Sequence, residues 1–126
     1  MTVSPGDHIT ASITLSDSTL NIWTISLSDQ TNGQSFTQTF LYDSTRLSAE
    51  WVVERPLVDN TLSQLADFGS ITFSNCSMEV NNKSENLGNL PLTKILLSNS
   101  KKIHLVEVSN ISSDGTGFTI KYLLMQ

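Results

Sequence analysis

The chain has 126 residues, of which 12 are acidic and 7 basic, giving a net charge of −5; that length suits a single domain over residues 1–126. Seven scattered cations on an acidic chain exclude a broad phosphate-contacting face, so no nucleic-acid partner is expected. No apolar run exceeds three or four residues, so no membrane span is expected either.

Ser fills 19 positions and Thr 14, which makes the surface polar but weakly charged. Cys76 is the only cysteine, excluding an internal disulfide and any zinc site built on several thiolates; it reads as a small buried hydrophobe. The start, Met1 to Asp7, has neither the basic residues nor the apolar stretch of a secretory signal. Either the protein is made for the cytosol or a leader lies outside this chain.

Periodicity is two almost throughout. From His8 to Leu15, Ile9, Ala11, Ile13 and Leu15 share one face and Thr10, Ser12 and Thr14 the other, as in a half-buried antiparallel strand. Leu20 to Ser28 repeats the pattern with Trp23, Ile25 and Leu27. The Asn32-Gly33 pair then suits a hairpin loop, and Ser35 to Leu41 forms the returning strand.

Ser48 to Glu54 reads as a strand with Trp51 and Val53 on one side and Glu50, Val52 and Glu54 on the other, closed by Arg55-Pro56 because proline cannot donate to a ladder. Residues 57 to 66 read as loop, or one helical turn at most. Strands are expected again at Phe68 to Ser74 and Ser77 to Val80, with loop from Asn81 to Asn89. Thr93 to Ser98, Lys102 to Val108 and Gly117 to Leu124 complete the set. Eight or nine short strands with no convincing helical period predict an all-β, antiparallel β-sandwich without significant helix.

Few residues suggest chemistry. His8 and His104 are far apart and lack a carboxylate cluster, so neither a metal nor a cofactor is expected. No strand-to-helix nucleophile elbow is present, and no glycine-rich loop opens a helix. Sequons at Asn75, Asn82 and Asn110 match the number chance gives in a chain this rich in Asn, Ser and Thr. Glu50 and Glu54, four apart on a strand, stand roughly 13 Å from each other, too far to share a proton. A bland reading of Glu54 pairs it with Arg55 or a lysine. Trp23, Tyr42, Trp51 and Tyr122 could instead form an aromatic platform on a non-catalytic module that binds a polysaccharide or a protein partner.

Two segments carry a resemblance. Ala49-Glu50-Trp51-Val52-Val53-Glu54, followed by Leu65-Ala66-Asp67-Phe68-Gly69-Ser70-Ile71-Thr72-Phe73-Ser74-Asn75, is similar to the paired signature of the glutamic peptidases, or eqolisins. The entry Val3-Ser4-Pro5-Gly6-Asp7-His8-Ile9 and the Thr31-Asn32-Gly33 hairpin resemble the same family, from about Val3 to Leu124. The resemblance implies a two-sheet β-sandwich, a secreted and acid-acting endopeptidase with peptide or protein substrates, and Glu54 as its general base, with a glutamine amide stabilising the oxyanion.

In that family the glutamine precedes the proline-glycine-aspartate strand, so this chain resembles the C-terminal part only. It is then one piece of a longer precursor, or needs a second chain, or has become a binding protein. Of its own glutamines, Gln30 and Gln34 fall in a turn, Gln64 in a loop and Gln126 at the end; Gln38 alone falls in a strand. A shortened sandwich exposes edges and apolar faces, so self-association or a partner chain is expected.

Overall fold

A computed structural model describes residues 1–123; Leu124 and Gln126 lie outside the described residues. The chain groups into two compact units, Met1–Leu47 and Ser48 onward.

In the first unit, β1 (Ile9–Asp17), β2 (Ile22–Asp29) and β3 (Ser35–Leu41) form an antiparallel meander in the order β1-β2-β3. The register sets Ile13 beside Ile25 and Ile25 beside Gln38, with Ala11, Leu27 and Phe36 in the next row and Leu15, Trp23 and Phe40 in the row beyond. Alternation therefore gathers the apolar residues on one face. The other face carries three rows of hydroxyls, Thr10-Ser28-Ser35, Ser12-Ser26-Thr37 and Thr14-Thr24-Thr39. The β2–β3 turn is closed by Asp29, whose carboxylate accepts from the Thr31 and Asn32 amides and from Asn32 Nδ2, while Gly33 turns the chain at a φ of 75°. A charged group fully shielded from solvent is tolerable only with such donors.

The second unit begins with two short hairpins' worth of departures from expectation. Where loop was expected at 57 to 66, β4 (Leu57–Val58) and β5 (Thr61–Leu62) pair across Asp59 and Asn60, both at positive φ. Where loop was expected at 81 to 89, β7 (Ser77–Val80) and β8 (Lys83–Asn86) pair across Asn81 and Asn82, again at positive φ, and a single 3-10 turn, Leu87–Asn89, follows. Two consecutive left-handed residues make the turn whose twist suits a hairpin.

The remaining sheet is β6 (Ser70–Phe73), β9 (Val106–Val108) and β10 (Phe118–Tyr122), in the order β6-β10-β9 and antiparallel throughout. Two expected strands do not form. Thr93 to Ser98 offers only an isolated bridge, Ser98 to His104, and Ser48 to Glu54 has no ladder partner among the described residues. The alternation of 48–54 was nevertheless real: Trp51 and Val53 are half-buried while Glu50, Val52 and Glu54 are exposed. Period-two burial needs only a core on one side, whereas a strand also needs a neighbour to hydrogen-bond.

The core of this unit is Leu65, Leu105, Val106 and Ile120, with Val53, Phe68, Phe73, Phe118 and Tyr122 among the side chains packed on it. Cys76 is buried as expected, and burial pushes its thiol pKa up. No helix of the described residues is long and apolar enough to cross a membrane.

Candidate active site

Glu54 lies in the irregular segment that enters the β4–β5 hairpin. Val53, one residue before it, packs on the core. Arg55, one residue after it, is half-buried and donates from Nε to the Ser63 carbonyl at 2.8 Å, and the Ser63 amide donates to the Pro56 carbonyl at 3.0 Å. The backbone is thus pinned on both sides while the Glu54 side chain points into solvent. Arg55 is committed to Ser63 rather than to Glu54. An exposed carboxylate on a fixed backbone keeps its lone pairs for water, which a general base requires.

The Ala66-Asp67-Phe68-Gly69 segment has a structural role. Asp67 Oδ1 accepts from the Gly69 amide at 2.9 Å, Gly69 takes a φ of 63°, and its carbonyl accepts from the Tyr122 amide at 2.8 Å. Phe68 meets Tyr122 edge to face at 6.0 Å. The motif therefore locks the start of β6 onto β10, and the buried Leu65 just before it belongs to the core that receives Val53.

The glutamines divide. Gln30 donates to Thr10 Oγ1 and Ser28 Oγ on β1 and β2, and Gln34 Oε1 accepts from the Thr2 amide near the start of the chain. Gln38 is exposed on β3 of the first unit. Gln64, also exposed, follows Ser63 in the second unit, where the hairpin returns the chain beside Arg55 and Pro56; the loop reading had hidden that return. Gln126 lies outside the described residues.

Trp23 Nε1 donates to the Tyr42 carbonyl in the first unit, whereas Tyr122 is part of the second unit's core. His8 and His104 are both exposed.

A separate acidic turn bears on behaviour in acid. Asp114 accepts from Ser112 Oγ at 2.5 Å, Thr116 Oγ1 at 3.0 Å and the Thr116 amide at 3.1 Å. These donors, the Ser112 hydroxyl foremost, hold its carboxyl below the usual carboxylate range. Because the folded value lies below the unfolded one, the contribution is complete above the unfolded value of about 4 and is lost as pH falls through the folded value. Thermal melts from pH 6 down to pH 2 should show Asp114→Asn less stable than the parent near neutrality. The gap should close below about pH 4.

Aspergillopepsin-2 of Aspergillus niger is 35% identical over 79 residues, which take in 60% of this chain and 27% of that protein. The chain thus spans less than a third of that relative. The crystal structure of aspergilloglutamic peptidase from Aspergillus niger superposes with a TM-score of 0.74 at 28% identity, over 98% of this chain and 70% of that one; the all-β sandwich fold is shared. The model of the Peptidase A4 family matches residues 1–122, a span that takes in the exposed Glu54 and the Asp67–Gly69 lock, and by that match the chain belongs to the peptidase A4 family.

Proposed function

We propose that the chain is a glutamic peptidase-like domain in which Glu54 is the general base for peptide-bond hydrolysis in acid, outside the cell. The observation that carries this reading is the exposed Glu54 carboxylate on a backbone anchored by Val53 and Arg55. In the proposed reaction Glu54 removes a proton from a water molecule as that water attacks the scissile carbonyl carbon. The same proton is then delivered to the departing amine, which leaves the carboxylate ready for another turnover.

The tetrahedral oxyanion needs a donor. Gln30 spends its amide N–H groups on Thr10 and Ser28, and absence of an aligned amide costs a hydrolase about 100- to 1000-fold. The isolated chain is therefore proposed to be a weak catalyst, fully active only when a glutamine amide is brought to Glu54. Membership of the family and the exposure of Glu54 support the reading.

The test is cleavage of a denatured protein at pH 3 to 5 by the purified chain, by Glu54→Gln and by Glu50→Gln. Loss of cleavage in Glu54→Gln alone is expected. Equal rates in all three would refute the assignment.

A further inference from the structure

We propose that Asn32 is a site of non-enzymatic deamidation that the folded β2–β3 turn holds shut, so that it is converted to aspartate or isoaspartate only in chains whose turn has opened. The inference rests on contacts within one hairpin and does not depend on the role of Glu54.

Asn32-Gly33 is the one Asn-Gly pair in the chain. In such a pair the backbone nitrogen after the asparagine can attack the side-chain amide carbon, and glycine has no side chain to obstruct the approach. A bond forms between the Gly33 nitrogen and Asn32 Cγ while the Cγ–Nδ2 bond breaks. Ammonia leaves, carrying the proton that the Gly33 amide gives up. Water then opens the resulting cyclic imide at one carbonyl or the other, giving aspartate or isoaspartate at position 32. Water is the only co-reactant.

In the folded turn every group of that step is engaged elsewhere. The attacking group, the Gly33 amide, donates to the Asp29 carbonyl at 2.9 Å. The leaving group, Asn32 Nδ2, donates to Asp29 Oδ2 at 2.6 Å. The other end of the same side-chain amide, Oδ1, accepts from the Gln34 amide at 2.9 Å, and the Asn32 backbone amide donates to Asp29 Oδ1 at 3.2 Å. Crowding is not the restraint, since nothing lies within 4 Å of a Cβ added at Gly33. Hydrogen bonds are, and the Gly33 nitrogen can turn onto Cγ only when several of them break together.

The product cannot restore the turn. An oxygen then stands where Nδ2 stood, facing Asp29 Oδ2 as one carboxylate against another, and Asp29 loses one of the three donors that hold it. Isoaspartate also adds a carbon to the main chain inside the turn that fixes the β2–β3 register. Opening of the hairpin, a reversible local event, is thereby recorded covalently.

The test is incubation of the purified full chain at pH 8 and 37 °C, folded and in urea, with conversion at Asn32 followed by mass spectrometry of tryptic peptides. The folded parent should convert at least about tenfold more slowly than the denatured one, because only the open fraction reacts. Asp29→Asn, shown to be folded by circular dichroism, gives up the oxygen that holds Nδ2; it should convert at least threefold faster than the folded parent and at the parent rate in urea. Asn32→Asp, which copies the product, should melt at least about 5 °C below the parent at pH 7. Equal rates for folded and denatured parent overturn the proposal. So does a folded Asp29→Asn that converts no faster than the parent, or an Asn32→Asp protein that melts with it.

Discussion

Glu54→Gln should lower kcat/KM for acid peptide cleavage by at least 100-fold, the lower end of what a positioned general base contributes. The substitution keeps the size of the side chain and its hydrogen-bonding reach but leaves no group able to take a proton from water. Because Glu54 is exposed and accepts nothing structural from Arg55, which is bonded to Ser63, the variant should melt at the parent temperature. Glu50 is exposed as well but sits before Trp51, without the anchors that flank Glu54. Glu50→Gln should therefore change kcat/KM by no more than a few-fold. The comparison separates loss of a base from loss of negative charge near the substrate, since both variants remove one carboxylate.

The largest effect on stability is expected at Gly117. A Cβ added there would lie 2.5 Å from the Phe73 carbonyl oxygen, and that obstacle is backbone of the neighbouring strand, unable to rotate away. Phe73 and Phe118, paired in register, also stack with ring centroids 4.9 Å apart, so separating β6 from β10 would open an aromatic contact. Gly117→Ala should destabilise by about 3 kcal/mol, the upper part of the range for overpacking. A fall in melting temperature of about 10 °C would follow for a chain of this size. Gly33 is the comparison: nothing lies within 4 Å of its added Cβ, but its φ is 75°. Gly33→Ala should cost only the left-handed penalty of about 1–2 kcal/mol. Equal melting temperatures for the parent and Gly117→Ala would mean that the two strands are not packed this closely.

Much of the first unit was legible because one rule governs it. Alternation over His8 to Leu15 and Leu20 to Ser28 showed the two faces, the Asn32-Gly33 pair marked the turn, and Ser35 to Leu41 forms β3 with the expected bounds. The second unit follows less local rules. Its two unexpected hairpins turn on Asp59-Asn60 and Asn81-Asn82, pairs in which Asn and Asp reach the left-handed region without glycine. Composition alone makes such pairs look like loop. The segment at Glu54 failed in the opposite direction: its alternation was genuine, but a ladder depends on a neighbour that period-two patterning does not reveal. Asp29 was missed as a buried charge because its shielding arises from three donors within the following three residues, a local geometry that hydrophobicity patterns do not register. The exposure of Glu54 follows from the same alternation that suggested a strand, whereas its candidacy as a base comes from the family resemblance and not from that pattern.

The two sheets differ in how far apart in the chain their strands lie, and this has a consequence for folding. Each pairing of the β1–β3 meander joins strands adjacent in sequence. In contrast, β6 pairs with β10, and the contact between the Thr72 and Thr119 hydroxyls bridges 47 positions. Closing so long a loop slows pairing. On a ribosome the meander can complete its hydrogen bonds while β6 still waits, its edge unpaired, for residues near the end of the chain. The interval in which β6 is exposed is thus the point at which the nascent protein is most open to strand-edge aggregation.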